Sequence, residues 1–228
     1  MNFALTEEQL MIRESTREFA EQELKPGVIE RDTHSEYPEE QVKKMAEMGL
    51  LGMTVGPAYG GSGMDTISYA IAMEEISKID ASCAVIMSVN NSLVCWGLEK
   101  YGTEAQKTQY LPALAAGEKL GAFCLSEPEA GSDATHQHTR AEDHGDHYLL
   151  NGVKNWITNG KKAGVYLVMA QTYPEKKHHG VNTLIVEADR DGVSTGSKED
   201  KMGIRSSDTA SVMFKDVRVP KANRLGED

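Results

Sequence analysis

Cysteine is scarce in this chain: 3 in 228 residues, Cys83, Cys95 and Cys124, each inside an apolar stretch. So few and so scattered, they exclude a disulfide framework or a cysteine-built zinc site, and buried thiols suit a reducing compartment. Basic charge is short as well, with 24 Lys and Arg against 35 Asp and Glu, a net charge of −11. General nucleic-acid binders need clustered cations, so that class is excluded. A phosphorylated small molecule is not, because a few Arg side chains, backbone N–H groups and a helix start hold phosphate locally. No apolar run is expected to reach the length of a bilayer crossing, and no membrane partner is expected. The amino terminus has neither a signal-peptide nor a transit-peptide pattern and goes at once into Leu5-Thr6-Glu7-Glu8-Gln9-Leu10. A cytoplasmic protein, or a processed organellar one, is the expectation. Repeats and low-complexity stretches are missing too.

What is present divides into two blocks. Thr6 with Gln9 makes a capping box, Leu5 with Leu10 has the spacing of a hydrophobic staple, and Ile12, Thr16, Phe19, Ala20 and Leu24 share one helix face that ends at Pro26-Gly27. A second helix is predicted from Pro38 to Gly49, and a third is capped by Asp65. Asp80 caps a fourth, Ala81 to about Lys100, apolar nearly all round and therefore central to a bundle. Thr103 with Gln106 opens a fifth that should end at Leu111-Pro112. From Leu120 onward, short β-prone runs alternate with turn residues. Asn151-Gly152, between Tyr148–Leu150 and Val153–Ile157, predicts a hairpin with a type I′ turn. Val165–Ala170, Val181–Glu187 and Ser211–Val219 are further strands. Helices followed by strands give an α+β chain of two domains, 1–118 and 119–228, with the change near Gly117.

Two segments carry the chemistry. One is Phe123-Cys124-Leu125-Ser126-Glu127-Pro128-Glu129-Ala130-Gly131-Ser132-Asp133; the other is Trp156-Ile157-Thr158-Asn159-Gly160. A strand followed by Ser126 and a Gly-containing loop offers a hydroxyl and backbone N–H groups to a polar ring edge. Trp156 offers a broad apolar plate, and Thr158, two residues on along a strand, points to the same side. Here the chain resembles the acyl-CoA dehydrogenase family. The tract Tyr59-Gly60-Gly61-Ser62-Gly63 is similar too, as are Met202-Gly203-Ile204-Arg205-Ser206-Ser207 and Phe214-Lys215-Asp216-Val217-Arg218-Val219-Pro220, so matches run in order along essentially the whole chain.

The resemblance implies an all-α helical bundle followed by an antiparallel β-barrel or sandwich. It places FAD against Phe123, Leu125, Ser126, Gly131, Ser132, Trp156, Ile157 and Thr158. Ser126 would bond the flavin's pyrimidine end, Trp156 would back the ring, Thr158 would stand near the reactive nitrogen and Ser132 would meet the CoA thioester. The implied reaction is α,β-dehydrogenation of a short- or medium-chain acyl-CoA, with electrons passed to an electron-transferring flavoprotein and subunits joined as a homo-oligomer, a homotetramer. The family's catalytic glutamate lies in a carboxy-terminal four-helix domain. The sequence stops at Asp228, where that domain would begin, so no catalytic base is assigned. A flavin oxidase on the same scaffold and a non-catalytic flavin- or CoA-ester-binding module are the alternatives. His136 departs from the small residue usual after Ser-Asp. Glu127 reads as a carboxylate anchoring backbone N–H groups, and His136, His138, His144 and His147 do not make a metal site.

Overall fold

The structure, a computed structural model, describes residues 4–226; Met1 to Phe3, Glu227 and Asp228 lie outside the described residues. The first helix, α1 (Glu7–Phe19), begins on the expected capping box, in which the Thr6 hydroxyl accepts from the Gln9 N–H and Gln9 Oε1 accepts from the Thr6 N–H. A π turn, Ala20–Leu24, prolongs it, and Ile12, Thr16, Ala20 and Leu24 are buried along its inner face. A short helix that the sequence pattern does not announce, α2 (Val28–Thr33), follows Gly27, and α3 (Glu39–Glu47) begins after Pro38. Asp65 caps α4 (Thr66–Ile79) by accepting from the Ser68 N–H at 2.7 Å, and Asp80 caps the next helix through Ser82 and Cys83. That helix is continuous from α5 (Ala81–Ser88) through a π turn (Val89–Cys95) into α6 (Trp96–Tyr101).

Two expectations are corrected here. The 21-residue helix Ala81–Tyr101 is, by length and composition, long and apolar enough to cross a membrane, although most of it is buried inside the fold. A helix apolar on nearly every side is what the middle of a bundle requires, and length cannot tell the two settings apart. In addition, α7 (Glu104–Ala115) does not stop at Leu111-Pro112 but passes through Pro112. Proline removes one intrahelical donor. The buried Leu111, Leu114 and Ala115 hold the last turn in place regardless.

The strands are β1 (Leu120–Cys124), β2 (Arg140–Asp143), β3 (His147–Thr158), β4 (Ala163–Gln171), β5 (Val181–Glu187), β6 (Val193–Lys198) and β7 (Thr209–Pro220). They form one seven-stranded sheet in the order β1-β4-β2-β3-β7-β6, with β5 also paired to β4. The sheet is mixed and not purely antiparallel as expected, because β1 and β2 both pair with β4 in parallel. Parallel neighbours need a long crossover. The excursion from Cys124 to Ala163 supplies one, and alternation along a strand does not reveal its partner's direction. The hairpin at Asn151-Gly152 is likewise absent: β3 runs straight through, with an irregularity between Leu150 and Gly152. Gly152 is needed for closeness, since a Cβ there would stand 2.3 Å from Thr139 Oγ1 and 2.7 Å from Thr139 Cα.

Helices and sheet share a core. Val94, Cys95 and Leu98 of the central helix pack with Leu111 and Leu114 of α7 and with Val165, Leu167 and Ile185 of β4 and β5. Two buried asparagines in the π turn stitch this junction. Asn90 donates to the carbonyls of Leu51 (2.9 Å) and Leu114 (3.1 Å) and accepts from the Gly121 N–H at 2.8 Å. Asn91 donates to the Leu50 and Met87 carbonyls and accepts from the Met53 N–H.

At the other side of the bundle, the buried Glu75 of α4 takes two hydrogen bonds from Arg17 of α1, at 3.0 and 3.1 Å, and one from Lys78 at 2.9 Å. The bonds from Arg17 outweigh desolvation and hold the carboxyl down at about 2, against an ordinary 4.5. A carboxyl lowered on folding contributes stability that is complete above its unfolded value and disappears as pH falls through the folded one. Arg17 is half exposed, so screening trims the contribution to about 1–2 kcal/mol. Glu75→Gln should therefore lower stability by that amount near neutrality and flatten the acid limb between about pH 4.5 and 2, read from urea midpoints across pH.

Candidate functional site

The loop between β1 and β2 and the end of β3 carry the candidate site residues. The chain leaves β1 at Cys124, and the Ser126 carbonyl accepts from the Asn155 N–H at 2.8 Å, which seats Ser126 beside the residue preceding Trp156. Lys154, one step earlier on β3, is completely buried, and its ammonium group donates to the Leu125 carbonyl (3.0 Å), Glu127 Oε1 (2.7 Å) and Gln137 Oε1 (2.9 Å). Glu127 also accepts from the N–H groups of His138 (2.5 Å) and Thr139 (3.0 Å). Burial pushes its carboxyl up, but these donors more than offset it and leave the group below the usual range. Burial also lowers the Lys154 ammonium, with Glu127 opposing. The anchoring role read for Glu127 is thus what the geometry displays. Its ionic partner is not announced by the motif, though a signal exists: Lys154 falls on the core side with Tyr148 and Leu150, where a charge demands a partner.

Trp156 is 63% exposed and sits at φ +60°, in an irregular stretch of β3 between Lys154 and Ile157. A bulky residue in the left-handed region is strained, and such strain gathers where function requires a side chain to be aimed. Thr158 is half-buried, as is Ser126, and neither hydroxyl has a hydrogen-bonding partner among the described residues. Ile157 lies between Trp156 and Thr158 with its side chain in the sheet core, and can offer a ligand its backbone only. Phe123 packs against the core shared by helices and sheet, while Leu125 is half-buried where the loop begins. Gly131 and Ser132 lie exposed on the outer part of the loop. There His136 Nδ1 pairs with Asp133 at 2.5 Å, and Thr135 bonds the same carboxylate. The unusual histidine therefore belongs to a local turn, and the bonds from Thr135 and then His136 hold the Asp133 carboxyl below its ordinary value. Among the described residues, no group of three or more His, Cys, Asp or Glu is arranged to hold a metal ion.

Not every residue of the two segments faces the site. Asn159, at φ +63° and fully buried, donates to the Gly121 carbonyl at 3.0 Å and to the Ile86 carbonyl at 3.4 Å. The turn after it is closed by the buried Asp208, whose carboxylate accepts from the N–H groups of Lys161 (2.6 Å) and Lys162 (3.0 Å). Beyond Met202, the backbone N–H and side chain of Arg205 bond Asp32 of α2 at 2.7 and 3.0 Å. These residues fasten the site to the helices.

An exposed indole plate flanked by unpartnered hydroxyls suits a flat heteroaromatic group with a polar edge, so the residues fit a flavin. Comparison with known proteins agrees with the order of the segments. A profile for the acyl-CoA dehydrogenase N-terminal domain matches residues 6–118, and one for the middle domain of the same family matches 122–217. The mouse mitochondrial short-chain specific acyl-CoA dehydrogenase is 45% identical over 223 residues, 98% of this chain and 54% of that protein. Butyryl-CoA dehydrogenase from Megasphaera elsdenii superposes with a TM-score of 0.96 at 43% identity, covering 100% of this chain and 61% of its own. A glutaryl-CoA dehydrogenase from Mycobacterium smegmatis, solved in complex with FADH2, superposes at 0.91 with 34% identity, covering 97% and 56% respectively. The chain thus spans little more than half the length of these relatives.

Proposed function

The chain belongs to the acyl-CoA dehydrogenase family, and on that premise we propose that it builds the flavin-facing wall of an FAD-dependent enzyme that converts a short- or medium-chain acyl-CoA to its 2-enoyl-CoA. The observation that carries the reading is Trp156, exposed and left-handed, near the hydroxyls of Ser126 and Thr158, which have no hydrogen-bonding partner among the described residues. Trp156 would cover one ring face, Ser126 would bond the polar edge and Thr158 would stand toward the reacting end. Phe123, Leu125, Gly131 and Ile157 would complete the wall through packing and backbone. Ser132, on the outer loop, would meet the thioester. The relative solved with FADH2 supports this cofactor.

In such a reaction the α-proton would pass to a carboxylate, and FAD held by these residues would supply the acceptor for the β-hydride, the electrons then going to an electron-transferring flavoprotein. Glu127 is not proposed as that carboxylate, because its oxygens are already committed to Lys154, His138 and Thr139. Residues 1–228 alone are expected to hold FAD weakly and not to reduce it with butyryl-CoA. Trp156→Ala combined with Thr158→Ala, made in the gene's full product, should weaken FAD binding about tenfold or more and leave far-ultraviolet circular dichroism unchanged. Flavin content equal to that of the parent protein would sink the placement.

A further inference from the structure

In the Glu127–Lys154 pair both side chains are out of water, 3% and 0% exposed. Burying two charges has a desolvation cost, and apolar residues of the same size would stabilise such a place as well or better. What they would lack is direction. An ammonium has three donors, and all three are used here, on Leu125 and Glu127 where the loop begins and on Gln137 where it ends. The carboxylate completes the closure by holding the N–H groups of His138 and Thr139. One buried pair therefore ties both ends of the loop to β3.

The two serines of this loop are held differently. Ser126 has a second tether, the Asn155 N–H on its carbonyl. Ser132 lies in the arm 128–136, and among the described residues the hydrogen bonds of that arm stay inside the loop: Glu127 with Ala130, Asp133 with Thr135 and His136, and Glu129 with His138. Apart from the packing of the buried Ala130 and the neighbouring turn Pro174–Gly180, the loop's tied ends are what set where the arm stands.

We propose that Glu127 and Lys154 are positioning residues for Ser132, setting the arm over the thioester while Ser126 keeps its place through Asn155. This rests on the reading above, in which Ser132 meets the CoA ester. The test is Glu127→Gln, nearly isosteric, in the gene's full product, alone and combined with Ser132→Ala. It measures KM and kcat for butyryl-CoA, FAD per chain, and amide exchange across residues 128–139. KM should rise about tenfold, a loss of about 1.4 kcal/mol in ester binding, while kcat stays within about twofold. FAD per chain, held mainly through Ser126, Trp156 and Thr158 with Gly131 of the arm a lesser contact, should fall by much less than KM rises. Amides of the arm should exchange faster, with those of the central helix unchanged. With Ser132→Ala already present, Glu127→Gln should add less than about twofold, because residues acting through one contact are not additive. Gln137→Leu, which leaves the ion pair intact but removes one ammonium contact, should move KM in the same direction by less.

Full additivity with Ser132→Ala would overturn the proposal, as would FAD loss and reduced melting temperature in step with KM, which mark a merely structural pair. If Ser132→Ala alone leaves KM unmoved, the thioester reading of Ser132 fails instead. Amide exchange then judges the pair directly, and an arm that exchanges no faster in Glu127→Gln overturns it.

Discussion

Replacing Asn90 by leucine is expected to lower the unfolding free energy by about 3–5 kcal/mol, and the melting temperature by about 10 °C, as read by calorimetry. Asn90 is completely buried and serves three backbone groups: the carbonyls of Leu51 and Leu114 and the N–H of Gly121. Each belongs to a different segment, and water cannot take over for any of them. A buried polar group left unsatisfied costs about 1–3 kcal/mol, and here the Leu51 carbonyl and the Gly121 N–H lose this partner together. The Leu114 carbonyl keeps the Gly117 N–H at 3.2 Å. Asn90→Asp separates hydrogen bonding from shape. It is nearly isosteric but cannot donate, so it should be almost as destabilising; a mild effect of the aspartate would show that packing dominates. The damage should reach the site, because the Gly121 peptide is gripped from both sides, its N–H by Asn90 and its carbonyl by Asn159.

A second large effect is expected at Gly61 and not at its neighbour. A Cβ on Gly61 would stand 2.1 Å from the Val55 carbonyl oxygen and 2.4 Å from the Val55 Cβ. Val55 is fully buried, and its carbonyl accepts from the Gly63 N–H at 2.8 Å, so the obstacle is backbone that cannot turn aside. Gly61→Ala should cost about 3 kcal/mol, the upper end of what overpacking exacts. At Gly60 a methyl group would meet no atom within 4 Å, but φ is +82°. Gly60→Ala should therefore cost only about 1 kcal/mol, and Gly60→Asn less, since asparagine tolerates the left-handed region. Paired urea titrations check the contrast; equal losses at both positions would refute it. The glycine tract that resembles the family is thus two requirements side by side, one of conformation and one of contact.

Much of the helical block is legible in the sequence because its signals are local. The caps at Thr6, Asp65, Asp80 and Thr103 each depend on residues within three positions. What escapes a sequence reading is set by distant partners. Asn151-Gly152 has turn chemistry, yet Thr139 lies against Gly152 and the strand continues. Pro112 is a helix breaker by composition, yet the buried residues around it keep the helix going. At the site, the motif residues can be singled out, but their division of labour cannot. Asn159 looks from sequence like part of a ligand-facing segment and is a buried clamp on Gly121 and Ile86. Trp156 could as well have been packed inside; its left-handed backbone and exposure exist only in three dimensions.

The apolar central helix also has a consequence for how the chain is made. Synthesis proceeds from the amino end, so Ala81–Tyr101 leaves the ribosome well before Val165, Leu167 and Ile185, the sheet residues that cover Val94, Cys95 and Leu98. For that interval a segment of membrane-spanning composition has only the other helices for shelter. The helical block can bury Cys83, Ala84, Ile86 and Met87 largely by itself, but Val94, Cys95 and Leu98 gain their full cover only with the sheet, so the helical block completes its core only together with the strands. Chaperone demand during synthesis should accordingly peak between the emergence of the π turn and that of β5.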